Sequence, residues 1–183
     1  MADTTASAVD GLRAVIEGQV ARPGEPGYDD AVNIWNGAIS RRPSVAVRCT
    51  SSADVAGALA FAQREGLEVS VRGGGHNYAG FALTDGGLMI DLTPMKTIAV
   101  DPATRRARCG GGTTWGEFDA ATQEYGLATP GGFVSTTGVA GLTLGGGLGW
   151  LSRMGGLSVD NLVGVEVVTA DGRVLKASER ENA

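Results

Sequence analysis

Histidine occurs once in this chain, at position 76, and cysteine twice, at 49 and 109. One imidazole leaves a zinc site or a Ser-His-Asp triad without the partners either needs, so no metal site is expected. The cysteines match no metal or redox spacing and read as buried small residues rather than a disulfide. No stretch approaches the ~20 apolar residues of a membrane span. The first residues, MADTTASAVDG, have neither a basic start nor an apolar core, so no signal peptide is expected and a cytoplasmic location is the default. Lys and Arg number 15 against 20 Asp and Glu, a net charge of −5. That argues against nucleic acid or an anionic membrane as a partner, since both need clustered cations. The short basic cluster Arg105, Arg106 and Arg108 is expected on a solvated strand face. The fingerprints GxGxxG, GxxxxGK[ST] and GxSxG are missing too, which removes the Rossmann, P-loop and nucleophile-elbow readings.

Glycine is what the chain has in excess: 30 residues, against about 13 at the usual ~7% usage. It clusters at 73–75, 110–112, 131–132 and 145–149, each run surrounded by Val, Leu or aromatic residues rather than linker composition. Such runs imply a backbone that approaches something closely or takes positive φ.

The hydrophobic pattern predicts an α/β arrangement. A helix is expected over 4–20, with Val9, Leu12, Val15 and Ile16 on one stripe, ended by ARPGEPG. The segment YDDAVNIWN is irregular or briefly helical. VAVRC from Val45 reads as a buried strand. A helix follows, capped by Ser51 or Ser52 and stopped by Gly66. LEVSVR over 67–72 is a second strand that runs straight into the first glycine loop. GLMIDL, TIAVD and, in outline, the arginine-rich stretch ending in ARCG are further strands, and about 113–125 is a helix. A hairpin turning at Asp171–Gly172 joins 165–169 to 173–175. The final SERENA is suited to starting a helix.

The first loop, RGGGHNYAG at 72–80, places bare backbone amides after a strand, an anion-binding arrangement for which a diphosphate is the obvious guest. The second region, TPGGFVSTTGVAGLTLGGGLGW at 129–150, adds hydroxyls at Thr129, Ser135, Thr136 and Thr137. Its small residues Gly138, Ala140 and Gly141 would let a flat ring lie against the main chain. Together they imply a long ligand with phosphate and ring parts. Beside them His76 is a candidate ligand contact, and neutral imidazole, with an ordinary pKa of about 6.5, is a competent nucleophile near pH 7. A lone histidine read by itself is more often a hydrogen-bonded structural residue or an exposed one.

The ordered set WNGAISRRPSVAVRCTSSADV, VRGGGHNYAG, STTGVAGLTLGGGLGWLSRMGGLSVDNL and VEVVTADGRVL resembles the FAD-binding domain of the vanillyl-alcohol oxidase superfamily. It is most similar to the berberine-bridge-enzyme-like and 6-hydroxy-D-nicotine-oxidase-like FAD-linked oxidases. The resemblance runs from about Tyr28 to the last residue. It implies an α+β fold of the PCMH type, two α/β subdomains with the cofactor between them. Residues 1–27 would be an N-terminal helix and linker, and 28–183 the FAD-binding domain, with lobes at about 28–101 and 102–183.

The resemblance also implies residue roles. Arg72, Gly73, Gly74, Gly75, Asn77, Tyr78 and Gly80 would wrap the FAD diphosphate, and His76 would bond the flavin 8α-methyl carbon. Thr136, Thr137, Gly138, Gly141, Gly145 and Gly147 would line flavin and diphosphate. Asn161, Gly164, Val165 and Val168 would lie toward the adenosine end. Bicovalent relatives carry a second, cysteinyl link in a Gly-x-Cys-Pro-Thr segment, where this chain has Val134, so a single link is implied. The family continues past a SEREN-like stretch with closing elements and a substrate domain, so this chain is expected to be an N-terminal fragment, inactive alone. Apolar surface is expected on its C-terminal side, and no catalytic base can be assigned. The intact enzyme would pass a hydride from an alcohol, sugar or amine of small size to flavin, with O2 as acceptor. A non-catalytic flavin-binding module, and a UDP-sugar enol-ether reductase holding FAD noncovalently, are the alternative readings. The histidine after the glycines and the GVAGLTLGGGLGW segment favour the oxidase branch.

Overall fold

The computed structural model describes residues 6–183. A four-stranded sheet runs in the order β1 (Gln19–Ala21), β2 (Val45–Arg48), β4 (Leu88–Asp91), β3 (Val69–Arg72), with β1 antiparallel to β2 and the other pairs parallel. Strand alternation divides its side chains between two layers. Val45, Val47, Leu88 and Ile90 meet Val9, Leu12 and Ile16 together with Phe61 and Ala62 of α3 (Ser52–Glu65) on one face. Ala46 and Met89 meet Tyr28 and Ala31 of α2 (Tyr28–Val32) on the other, with Leu83. A strand covered on both faces reads as a continuous apolar run, which is why VAV and LMI are so plain in the sequence.

α3 begins and ends as expected. The Ser51 hydroxyl accepts from the Asp54 N–H, and Gly66 closes the helix at φ 63° in the left-handed region. The N-terminal helix is shorter than its periodicity predicts. α1 covers Ala6–Arg13, and Gln19–Ala21 is strand; positions 4 and 5 lie outside the described residues. Sheet pairing wins here: Gln19 registers with Arg48, and the N–H groups of Glu17 and Gly18 donate to the buried Asp54 carboxylate. Val15, assigned to the apolar stripe, is exposed.

Two antiparallel hairpins follow. β5 (Ile98–Asp101) pairs with β6 (Arg106–Cys109), and Arg106 and Arg108 are exposed there as expected. β7 (Val165–Val168) pairs with β8 (Val174–Ala177). Between them lie α4 (Trp115–Gln123), α5 (Val139–Leu144) and α6 (Ser152–Gly155). α4 opens on a reciprocal cap between Thr114 and Glu117. The end of the chain departs from expectation. Ser178 and Glu181 exchange backbone hydrogen bonds, and the Asn182 amide reaches the Lys176 carbonyl, so the SEREN stretch folds back on β8 as a turn rather than starting a helix. Apolar side chains stand in solvent in the later part of the sequence: Leu144, Trp150, Met154 and Val163 are all exposed. Both cysteines are free, with Cys49 buried. No helix among the described residues is long and apolar enough to cross a membrane.

Candidate functional site

β3 delivers the chain to the first glycine loop at the carboxyl end of the parallel strands, where Arg72 registers with Asp91 and the Leu92 N–H donates to the Arg72 carbonyl. The Arg72 side chain runs beside the loop, its Nε 3.2 Å from where a Cβ at Gly75 would stand, and ends on α2. Its guanidinium donates to the carbonyl oxygens of Asp30 and Ala31, clamping α2. Burial lowers its pKa, and the Asp91 carboxylate opposes that shift. Beyond it, the backbone N–H groups of Gly74, Gly75, His76 and Asn77 donate to no other atom among the described residues. The loop is closed by Asn77, whose carboxamide oxygen accepts from the Phe81 N–H at 2.9 Å and whose carbonyl accepts from Gly80.

The second glycine region folds directly onto this loop. A Cβ at Gly74 would stand 2.2 Å from the Gly138 nitrogen, and one at Gly138 would stand 2.5 Å from the Gly74 nitrogen. The close approach inferred from composition is therefore, at these positions, backbone against backbone. Hydrogen bonds from Trp115 N–H to Thr137 O and from Val139 N–H to Thr113 O pin this junction to the start of α4. Part of the presumed second loop is the short helix α5, and Gly131 and Gly132 face the buried Trp115 ring.

His76 stands at the junction. Its Nε2 lies 2.9 Å from the Thr136 hydroxyl and its Nδ1 lies 3.3 Å from the Thr137 hydroxyl. Partial burial lowers its pKa below the ordinary value of 6.5, so at pH 7 the ring is neutral and keeps one unprotonated nitrogen. The indole of Trp35 stacks on the imidazole, ring centroids 5.4 Å apart and planes at 23°. Trp35 belongs to the motif WNGAISRRP but was given no role from sequence; a lone tryptophan on an irregular segment carries no periodic signal that could have assigned one.

The remaining candidates divide. Thr136, Thr137, Gly138 and the 73–77 backbone are brought together, and Tyr78 stands exposed beside Trp35 at 6.5 Å between centroids. Gly80 is packed against Ile39. Gly141 and Gly145 are exposed, and a Cβ at Gly141 would meet nothing within 4 Å. Gly147 is turned inward, its carbonyl accepting from both the N–H and hydroxyl of Ser158. Asn161 bonds the carbonyls of Gly155 and Leu157 within its own turn. Gly164, Val165 and Val168 lie on or beside β7, and no hydrogen bond or ring contact joins them to His76 among the described residues. β7 is instead held to β6 and α3 through Glu166, which pairs with Arg108 at 3.0 Å and accepts from Ser52.

Comparison with known proteins adds what this geometry lacks. The family described as FAD binding domain matches residues 43–178. The (R)-6-hydroxynicotine oxidase of Paenarthrobacter nicotinovorans is 43% identical over 166 residues, 91% of this chain and 36% of that protein. The structure of Physcomitrella patens BBE-like 1 superposes with a TM-score of 0.91 at 33% identity, over 96% of this chain and 38% of that one. Glucooligosaccharide oxidase from Acremonium strictum, which carries a 6-S-cysteinyl, 8α-N1-histidyl FAD, gives 0.89 at 30% identity, over 96% and 37%. The chain thus spans little more than a third of the length of each of these relatives.

Proposed function

This chain belongs to the FAD binding domain family, and we propose that it is the FAD-binding portion of an FAD-dependent oxidoreductase, holding its cofactor through one covalent bond to His76. The observation that carries this reading is the junction itself. The chain's single histidine is held at both ring nitrogens by Thr136 and Thr137, within a run of loop amides that have no acceptor among the described residues.

The residues present fit FAD. The N–H groups of Gly74, Gly75, His76 and Asn77 have no acceptor among the described residues and would offer the diphosphate donors without a basic surface, consistent with a net charge of −5. The open Gly141 and Gly145 leave room for a flat ring, while Asn161, Gly164, Val165 and Val168 are assigned to the adenosine side. Arg72 supports the loop from behind by clamping α2. Bound FAD supplies a two-electron acceptor for a substrate hydride. The neutral His76 ring supplies the nucleophilic nitrogen for attachment, and the two threonine hydroxyls set which way its edges face. With Val134 where bicovalent relatives carry cysteine, the link is single. In the whole protein the hydride donor is a small alcohol, sugar or amine and the electrons pass to O2, in a cytoplasmic enzyme.

Acid precipitation of the full-length protein tests the attachment. Yellow colour is expected to stay with the polypeptide, and in His76→Ala to pass to the supernatant while the fold survives. Colour that is wholly extractable from the parent protein would exclude the covalent link and leave noncovalent binding at the same loops.

A further inference from the structure

Thr136 and Thr137 meet the two nitrogens of His76 at 2.9 and 3.3 Å. These bonds fix where the ring's edges point but restrain its tilt about the line joining the two hydroxyls only weakly. A third contact acts on that tilt. Trp35 lies against the imidazole face at 5.4 Å and 23°, yet 59% of its own surface is exposed. An indole stacked on a polar ring and left largely in solvent contributes little to a core. Its placement is nevertheless specified. The Trp35 N–H donates to the Gly75 carbonyl at 3.2 Å, immediately before His76, and the neighbouring Asn36 carboxamide donates to the Tyr78 carbonyl at 2.9 Å, just after it. The 35–36 segment, which comes from the α2–β2 connection and belongs to neither glycine region, is thus tied to both sides of the histidine.

We infer that Trp35 is a positioning residue for His76: stacked on one face of the imidazole, it shields that face and sets the plane in which the ring nitrogens are presented to the flavin. The inference rests on the reading of His76 as the attachment point. Trp35 touches no reacting atom in this role. Its backbone N–H survives any substitution, so replacing the side chain tests the stack apart from the loop tether.

The experiment compares Trp35→Ala, Trp35→Leu and Trp35→Phe with the parent in the full-length protein. The first readout is the rate at which acid-stable flavin accumulates after the apoprotein is mixed with FAD. The second is the ring-current shift of the His76 C–H resonances in the apoprotein. Roughly two- to tenfold slower attachment is expected in W35A and W35L, the factor that one aromatic pair can carry. W35F should recover most of the rate. The upfield shift should be present in the parent and W35F and lost in the other two. W35L keeps apolar volume without a ring, so the comparison holds if W35A fails to fold. Parental attachment rates in W35L with the shift gone would overturn the inference, as would a parent with no ring-current shift. Failure of the attachment reading shows separately, as wholly extractable flavin in the parent itself.

Discussion

Gly74→Ala attacks the contact on which the site is assembled. The added methyl would stand 2.2 Å from the Gly138 nitrogen, 2.7 Å from its Cα and 3.1 Å from the Thr136 carbonyl oxygen. Unstrained contacts of this kind need about 3.5 Å, so the two segments must part by roughly 1.3 Å. All three obstacles are backbone, pinned by the Trp115–Thr137 and Val139–Thr113 hydrogen bonds, and none can rotate away. A parting of that size takes the 3.3 Å His76–Thr137 contact beyond hydrogen-bonding range. Overpacking costs typically ~1–3 kcal/mol, which for a chain of this length lowers Tm by roughly 3–10 °C. Thermal unfolding by circular dichroism reads the first effect, and acid-stable flavin, expected to fall sharply, reads the second. Gly11→Ala is the control: nothing lies within 4 Å of a Cβ there, and at this exposed position of α1 it should stabilise by about 0.5–1 kcal/mol. Parental Tm together with full flavin attachment in G74A would refute the packing argument.

Attachment should also depend on pH through His76. Burial lowers its pKa below 6.5, so the initial rate should rise with pH through a midpoint below 6.5 as the ring loses its proton. A midpoint above 7 would contradict this. The same shift makes the unfolded chain bind its proton first, so this residue's share of stability falls as pH drops below about 6.5. Asp54 is a structural counterpart. Burial raises its pKa, but hydrogen bonds from Thr50, Glu17 and Gly18 outweigh that and hold it below the usual carboxylate range. Its contribution is therefore present above about pH 4 and lost as pH falls through the lower folded value. Asp54→Ala orphans several of these donors and should cost about 3 kcal/mol, seen as a clear drop in Tm; an unchanged Tm would dismiss the staple. Burial pushes the Cys49 thiol up to about 12, with Asp54 and Asp91 adding to the shift. It should resist a thiol reagent at pH 8 until the protein is unfolded, and rapid labelling of the native protein at Cys49 would count against its placement.

Local chemistry determined much of this protein from sequence alone. The buried runs VAV and LMI, the Ser51 and Gly66 caps of α3, the hairpin at Asp171–Gly172 and the strand feeding Gly73 all follow from rules that act over a few residues. So does the pairing of a histidine with an amide-rich loop, and the ordered motif set carried the family. Tertiary structure decided what depends on partners distant in sequence. Val15 and Ile16 share a helical period with Leu12, yet the chain leaves the helix because Gln19 can pair with Arg48 and Asp54 can take two amides. Arg72 looks like a phosphate ligand in its motif and serves α2 instead. Gly74 reads as room for a ligand and is filled by Gly138, 64 positions away. Trp35 stands in a family motif, but nothing local signals its role, because that role exists only once two glycine regions and the α2–β2 connection meet around one imidazole. Periodicity and turn chemistry are written locally; the junction at His76 is made by packing.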